Sequence, residues 1–144
     1  MNTPITARAI VAEAREAERK GANMGSIRKI LIVDDSATER HMLNDLLTKA
    51  GFDVVSSDNG EDAIVKARQV KPDLILMDVV MPGLNGLELA QRVMAERPHL
   101  RVLFMSGYAD HAVVQRDIVD AGRPFLQKPF APDRLLARVK EVLA

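Results

Sequence analysis

From residue 28 onward, the chain alternates between short apolar runs and longer segments with helical spacing. Five apolar runs predict strands, at residues 30–33, 52–55, 74–77, 101–105 and 124–126. Helical spacing of apolar residues follows each run, at residues 36–50, 60–70, 87–97, 110–120 and 133–143. This alternation predicts a single α/β domain, a parallel sheet covered on both faces by helices through right-handed crossovers.

The third apolar run predicts a buried strand that ends in a charged residue. Its four residues, Leu74 to Met77, are bounded by Pro72 and by the turn-forming pair Pro82-Gly83. An uninterrupted apolar run of this length is typical of a strand buried on both faces. The run nevertheless ends in a carboxylate, Asp78, at the strand end where open α/β sheets bind their ligands. Taken alone, Asp78 fits a capping residue as well as it fits a functional one.

Composition narrows the classes of function. The 144 residues carry 20 basic and 20 acidic side chains, which gives no overall charge to attract nucleic acid or an anionic membrane. The chain has no cysteine, which excludes disulfides and thiolate metal sites. It also has no apolar run of membrane-spanning length and no signal-peptide core. We therefore expect a cytoplasmic protein.

Residues 1–27 differ from the rest and are predicted to be an extension that precedes a domain spanning residues 28–144. Thr3-Pro4 is typical of a helix start and Gly21 of a helix end. The segment between them is rich in Ala, Glu and Arg but has few large apolar side chains, so a helix there has little to bury. Such a helix could dock on a partner or on the domain, but a solvated or frayed extension is favoured. Met24-Gly25-Ser26 is typical of an engineered junction, so the extension could also be foreign to the domain.

Polar side chains stand at the carboxyl ends of four predicted strands. They are Asp34, Asp35, Asp78, Ser106 and Lys128. Each has an ordinary structural explanation, since the aspartates and the serine could cap helices and the lysine could lie on the surface. Because the carboxyl ends of parallel strands share one edge of the sheet, the five together predict a site.

The chemistry of this set points to phosphoryl transfer. Three nearby carboxylates repel one another unless a cation lies between them, and an all-oxygen ligand set favours Mg²⁺. A carboxylate can also act as a nucleophile and form an aspartyl-phosphate. A lysine and a hydroxyl can then neutralise and bind the phosphoryl oxygens.

The ordered set of motifs resembles the response-regulator receiver domain of two-component signalling, the CheY-like family. The motifs are Asp34-Asp35, Met77-Asp78-Val-Val-Met-Pro-Gly83, Ser106-Gly107 and Lys128-Pro129-Phe130. The resemblance covers residues 28–144 and implies a flavodoxin-like (βα)5 fold with strand order 2-1-3-4-5. Within it, the first half is similar to stand-alone receivers of pilus-motility systems. The second half is similar to receivers at the C-terminus of hybrid histidine kinases.

The resemblance also implies a role for each matching residue. Asp78 is implied to accept the phosphoryl group from a phosphohistidine. Asp35 would bind Mg²⁺ directly, Asp34 mainly through water, and Val80 through its backbone carbonyl. Lys128 and Ser106 would bind the phosphoryl oxygens, with Ser106 and Phe125 acting as the switch pair. The Lys128-Pro129 peptide matches the family's cis bond.

Two positions depart from the usual family pattern. The switch aromatic is Phe125 rather than tyrosine, so it lacks a hydroxyl and is expected to favour a buried position. Val80 offers no polar group to orient an attacking water, so we expect a persistent phosphoryl group. Tyr108 occupies the other position that tunes dephosphorylation in the family.

Partners follow from the resemblance as well. A histidine kinase or histidine phosphotransfer protein is the expected donor, contacting the first helix around Thr38, Glu39, Met42 and Leu43. The expected output surface combines the fourth helix, fifth strand and fifth helix, at residues 112–119, 125–127 and 134–143. Direct contact with nucleic acid or membrane is not expected, and the sequence does not decide between a monomer and a weak dimer.

Three other functions fit the sequence less well. A receiver used only for phosphorylation-independent docking would lack one of the five polar residues, and none is missing. A phosphatase of the dehalogenase type would need Asp-x-Asp after its first strand, where this chain has adjacent aspartates. Dinucleotide binding would need Gly-x-Gly-x-x-Gly after the first strand. The three histidines, at positions 41, 99 and 111, are expected on the surface.

Overall fold

The computed structural model describes residues 27–81, 84–107 and 112–144. Residues 1–26 of the predicted N-terminal extension, the Pro82-Gly83 turn, Tyr108 and His111 lie outside these residues. Seven strands are described: β1 (Lys29–Val33), β2 (Asp53–Ser57), β3 (Leu74–Asp78), β4 (Val80–Met81), β5 (Leu84–Asn85), β6 (Arg101–Ser106) and β7 (Phe125–Gln127). Five helices accompany them: α1 (Ala37–Lys49), α2 (Gly60–Val70), α3 (Gly86–Glu96), α4 (Ala112–Asp120) and α5 (Pro132–Leu143).

Five of the strands form one parallel sheet in the order β2-β1-β3-β6-β7. In terms of the five predicted strands this is the order 2-1-3-4-5, which confirms the predicted fold. Strands β4 and β5 make a separate antiparallel ribbon of two residues each. The sequence did not predict this ribbon, because two residues are too few to show an alternating pattern.

Each face of the sheet carries its own apolar cluster. On one face, Leu31 of β1 packs in a cluster with Ala63 of α2 and Leu89 of α3. On the other face, Ile32 packs in a cluster with Leu43 of α1 and with residues of α5. Successive side chains of a strand point to opposite faces, so a strand that serves both clusters must be apolar throughout. All five residues of β3 are buried, which confirms the prediction for Leu74 to Met77 and adds Asp78 to it.

Helix α1 shows how local chemistry sets an element's start. Ser36 is its N-cap, and the Ser36 hydroxyl accepts a hydrogen bond from the backbone N–H of Glu39 at 3.2 Å. This capping role therefore falls to Ser36 and leaves the Asp34 and Asp35 side chains available for other contacts. Met42 was expected on the apolar side of this helix, but it is 45% exposed. Met42 is one residue, or about 100°, away from the fully buried Leu43, which carries it off the narrow buried stripe.

None of the helices within the described ranges is long and apolar enough to cross a membrane. His41 and His99 are both exposed, as predicted.

Candidate functional site

The parallel sheet brings the predicted polar residues to one edge. Asp78 is the last residue of β3 and lies opposite Met105 of β6, one residue before Ser106. Asp34 follows β1 directly, and Lys128 follows β7 directly. The register of the four neighbouring strands therefore aligns the carboxyl ends that carry these side chains, although they are far apart in sequence.

Three carboxylates form a compact acidic cluster at this edge. Asp34, Asp35 and Asp78 each present a carboxylate oxygen, and these atoms lie within 4.8 Å of one another. Asp34 is fully buried, Asp78 is 8% exposed and Asp35 is exposed. Like charges at this separation repel one another, so the cluster favours a cation in its midst.

The ligand set of the cluster fits Mg²⁺. Magnesium prefers oxygen ligands at about 2.0–2.1 Å, so two oxygens on one ion are at most about 4.2 Å apart. The cluster's oxygens lie up to 4.8 Å apart, slightly more than two ligands of one ion. Small rotations of the carboxylates, or a water that bridges one of them to the ion, would bring them into range. Neither thiolate nor imidazole contributes to the cluster, which disfavours softer metals.

The two adjacent aspartates are not equivalent. The Asp34 carboxylate accepts a hydrogen bond from the Ser36 backbone N–H at 2.9 Å, and its other oxygen lies 3.3 Å from Lys128 Nζ. Both Asp34 oxygens thus already have protein partners. Asp35 is exposed, and no described residue donates a hydrogen bond to its carboxylate. This difference favours direct metal binding by Asp35 and a more indirect role for Asp34.

Lys128 is surrounded by carboxylates. Its Nζ contacts Glu39 Oε1 and lies 3.3 Å from Asp34 Oδ2 and 3.7 Å from Asp78 Oδ2. Burial lowers the pKa of Lys128, but the hydrogen bond to Glu39 and the charges of Asp78, Asp34 and Glu39 outweigh it, so the net pKa shift is upward. Lys128 is therefore cationic at neutral pH.

The loops that carry Ser106 and Lys128 pack closely together. Ser106 is 2% exposed, and its backbone carbonyl accepts a hydrogen bond from the Lys128 N–H at 2.9 Å. A Cβ added to Gly107 would lie 3.0 Å from the Lys128 Cβ, which explains why a glycine follows Ser106. The Lys128-Pro129 peptide bond is cis, as predicted.

Two further residues, Phe125 and Val80, were predicted to belong to the site. Phe125 pairs in register with Phe104, is half-buried and packs against the apolar cluster that contains Leu31. Val80 lies in β4 and pairs with Asn85. The metal-binding role of the Val80 carbonyl and the switch role of Phe125 stay predictions.

The structure adds Glu39 to the site. From the sequence, Glu39 was predicted to lie on a partner-facing surface, and no contact with Lys128 was predicted. No pattern in the sequence indicates this contact, because Glu39 lies in the first turn of α1 and Lys128 follows a strand much later in the chain. Glu39 and Lys128 also line a cleft of about 380 Å³ with Met42, Gly107, Pro129 and Phe130.

Comparison with known proteins identifies the family of the chain. Residues 30–140 match the model of the response regulator receiver domain, and the chain belongs to that family. The chain is 35% identical to the chemotaxis protein CheY of Thermotoga maritima over 116 residues, which cover 80% of this chain and 97% of the relative. It is 38% identical to protein PilH of Pseudomonas aeruginosa over 118 residues, or 81% and 98% of the two chains.

Solved structures show the same architecture. The structure of the chemotaxis protein CheY4 of Vibrio cholerae matches with a TM-score of 0.72 at 29% identity, covering 81% of this chain and 99% of the other. A CheY-like receiver domain protein of Methanospirillum hungatei matches with a TM-score of 0.73 at 28% identity, covering 82% and 94%. Family membership places the chain among the receivers of two-component signalling and confirms the resemblance found in the sequence.

Proposed function

We propose that this protein is a phosphorylation-dependent signalling switch whose phosphoryl acceptor is Asp78. The observation that carries the proposal is the position of Asp78 at the carboxyl edge of the sheet, where it belongs to the acidic cluster and lies 3.7 Å from Lys128 Nζ. The expected donor is a phosphohistidine of a histidine kinase or a histidine phosphotransfer protein. A cytoplasmic location, expected from the sequence, belongs to the same proposal.

In the proposed reaction a carboxylate oxygen of Asp78 attacks the phosphorus of the phosphohistidine. An O–P bond forms, the N–P bond breaks, and the imidazole leaves and takes up a proton. Asp34, Asp35 and Asp78, with the Val80 carbonyl, would hold Mg²⁺, which neutralises charge on the phosphoryl oxygens when it is bound. The energetic demand on the protein is then mostly positioning and charge neutralisation.

Two further side chains complete the proposed site. Lys128 supplies a positive charge 3.7 Å from Asp78 Oδ2 and is placed to bind a phosphoryl oxygen. The Ser106 hydroxyl stands at the end of the neighbouring strand and would bind a second oxygen once the phosphoryl group is present. Movement of Ser106 toward that group, with Phe125 following inward, is the proposed switch.

The proposed output surface combines α4, β7 and α5, where a target protein would bind. It adjoins the site because Lys128 follows β7 directly, and Val119 of α4 is 57% exposed on it. We also propose that residues 28–144 form the functional domain and that residues 1–27 are an addition to it.

The proposal is tested by incubating the protein with acetyl phosphate, with Mg²⁺ or with excess chelator. Intact-mass measurement should show one phosphoryl group per chain only when Mg²⁺ is present. Peptide mapping after borohydride reduction should place that group on Asp78. Labelling that persists in chelator, or that maps to another residue, would refute the proposal.

We predict a long-lived phosphoryl group on Asp78, because the valine at position 80 cannot orient an attacking water. After removal of excess acetyl phosphate, decay of the label in Mg²⁺ should take minutes or longer. The Val80→Glu variant, which adds a polar group that can orient water, should decay faster. Loss of the wild-type label within seconds would contradict this prediction.

A further inference from the structure

The Lys128 ammonium group is held by a residue that is not at a strand end. Glu39 lies in the first turn of α1, and its carboxylate is the nearest of the three to Lys128 Nζ. Asp34 Oδ2 is 3.3 Å away, within hydrogen-bond distance, whereas Asp78 Oδ2 is 3.7 Å away and beyond it. Lys128 is thus closest to Glu39 and hydrogen-bonded to Asp34, and its contact with the proposed phosphoryl acceptor, Asp78, is a longer ion pair.

The surroundings make this ion pair stronger than an ordinary surface pair. The Lys128 side chain is 17% exposed and that of Glu39 is 36% exposed, so water screens their attraction only in part. The start of α1 also supports the contact, because the Glu39 backbone N–H donates a hydrogen bond to the Ser36 hydroxyl at 3.2 Å and this bond fixes the Glu39 backbone. Glu39 is therefore held in place at the rim of the site.

We propose that Glu39 is a positioning residue that holds Lys128 away from Asp78 and thereby limits how readily this site takes up a phosphoryl group. This inference rests on the proposed function, since it assumes that Asp78 receives the group. It adds a residue outside the acidic cluster whose charge opposes phosphorylation.

Two physical effects act in the same direction. A phosphoryl group brings about −1.5 to −2 charges at pH 7, and its oxygens compete with the Glu39 carboxylate for the Lys128 ammonium. The Glu39 carboxylate also repels the incoming anion, because it lies next to the same ammonium group. Removing the Glu39 charge should therefore favour the phosphorylated state.

The effect on metal binding should have the opposite sign. Without Glu39, the Lys128 ammonium is free to move fully onto Asp34 and Asp78, which it already approaches at 3.3 and 3.7 Å. Lys128 would then neutralise carboxylates that the metal needs, and Mg²⁺ would bind more weakly. Opposite effects on a cation and on an anion distinguish a positioning role from general damage to the fold.

The test compares wild type with Glu39→Gln, which removes the charge and preserves the size of the side chain. The probes are Mg²⁺ alone, measured by calorimetry, and beryllofluoride at saturating Mg²⁺, a stable mimic of the phosphoryl group. Mg²⁺ affinity should fall about three- to fivefold, while beryllofluoride affinity and the rate of labelling by acetyl phosphate should rise about fivefold. Small donors are used because Glu39 also lies on the surface predicted to meet the kinase.

Glu96→Gln is the matched control. It makes the same change of charge and breaks an ion pair with Arg68 at 2.7 Å. Glu96, however, is the last residue of α3, shortly before β6 begins at Arg101, and so lies toward the amino ends of the strands and not at the site. This control should leave both affinities at the wild-type values. Glu39→Asp, which keeps the charge but is one methylene shorter, should shift both affinities in the direction of Glu39→Gln and serves if that variant is poorly folded.

The outcomes separate the two proposals. If wild type is labelled on Asp78 and neither Glu39 variant differs from Glu96→Gln, the inference about Glu39 is refuted and the proposed function stands. If both affinities fall together, Glu39 has only a structural role and the inference is also refuted. If wild type shows no Mg²⁺-dependent labelling at Asp78, the proposed function itself fails.

Discussion

The Asp78→Asn variant should show no Mg²⁺-dependent labelling by acetyl phosphate. The amide has nearly the same shape as the carboxylate but lacks the negative charge and the nucleophilic oxygen that the proposed reaction uses. Asp78 is 8% exposed and ends a fully buried strand, so an isosteric substitution should leave the fold intact. The measurement is intact mass after incubation with donor and Mg²⁺, with wild type alongside.

The same variant should change stability in a defined direction. Without metal, the wild-type protein holds three carboxylates whose oxygens lie within 4.8 Å of one another. Removing one charge relieves that repulsion, so metal-free Asp78→Asn should be about 1 kcal/mol more stable than wild type. Urea unfolding with and without Mg²⁺ tests this, and the added stability from Mg²⁺ should be smaller in the variant. If Asp78→Asn were labelled to the same extent as wild type, another residue would be the acceptor.

The second large effect is expected at Gly86, the first residue of α3. A Cβ at this position would overlap the backbone carbonyl oxygen of Asp78 and lie 2.9 Å from the Val79 Cα. The Gly86 N–H also donates a hydrogen bond to the Val79 carbonyl at 2.9 Å, so helix and strand end are tied together here. Because backbone rather than a flexible side chain must move, Gly86→Ala should lower the free energy of unfolding by about 3 kcal/mol.

The Gly86→Ala substitution should also disturb the site, because the backbone atoms that it displaces belong to Asp78 and Val79. We expect slower labelling by acetyl phosphate and a melting temperature lower by about 10 °C. Gly51→Ala is the control, since a Cβ there meets nothing within 4 Å but the backbone has a φ of +99°. That variant should lose about 1 kcal/mol through backbone strain alone and keep wild-type labelling. Equal losses in the two variants would contradict the steric explanation.

The predicted strand boundaries were most accurate where the apolar run is uninterrupted. The third run was predicted at residues 74–77, and β3 spans Leu74–Asp78. The second was predicted to end at Val55, but β2 continues through Ser57, which is 2% exposed. The Ser57 hydroxyl donates a hydrogen bond to the Asn59 carbonyl at 2.9 Å, and this bond allows a polar side chain to be buried. A pattern based on hydrophobicity cannot detect such a partner.

The sequence by itself determined the fold class and the edge of the sheet at which the site lies. Apolar runs separated by helical segments require parallel strands, and parallel strands place Asp34, Asp78 and Lys128 at one edge whatever the details of packing. The tertiary structure alone decided which carboxylate holds Lys128. That pairing depends on how α1 packs against the sheet and on how far the Glu39 side chain extends from α1 toward Lys128. Residue spacing in the sequence determines neither of these.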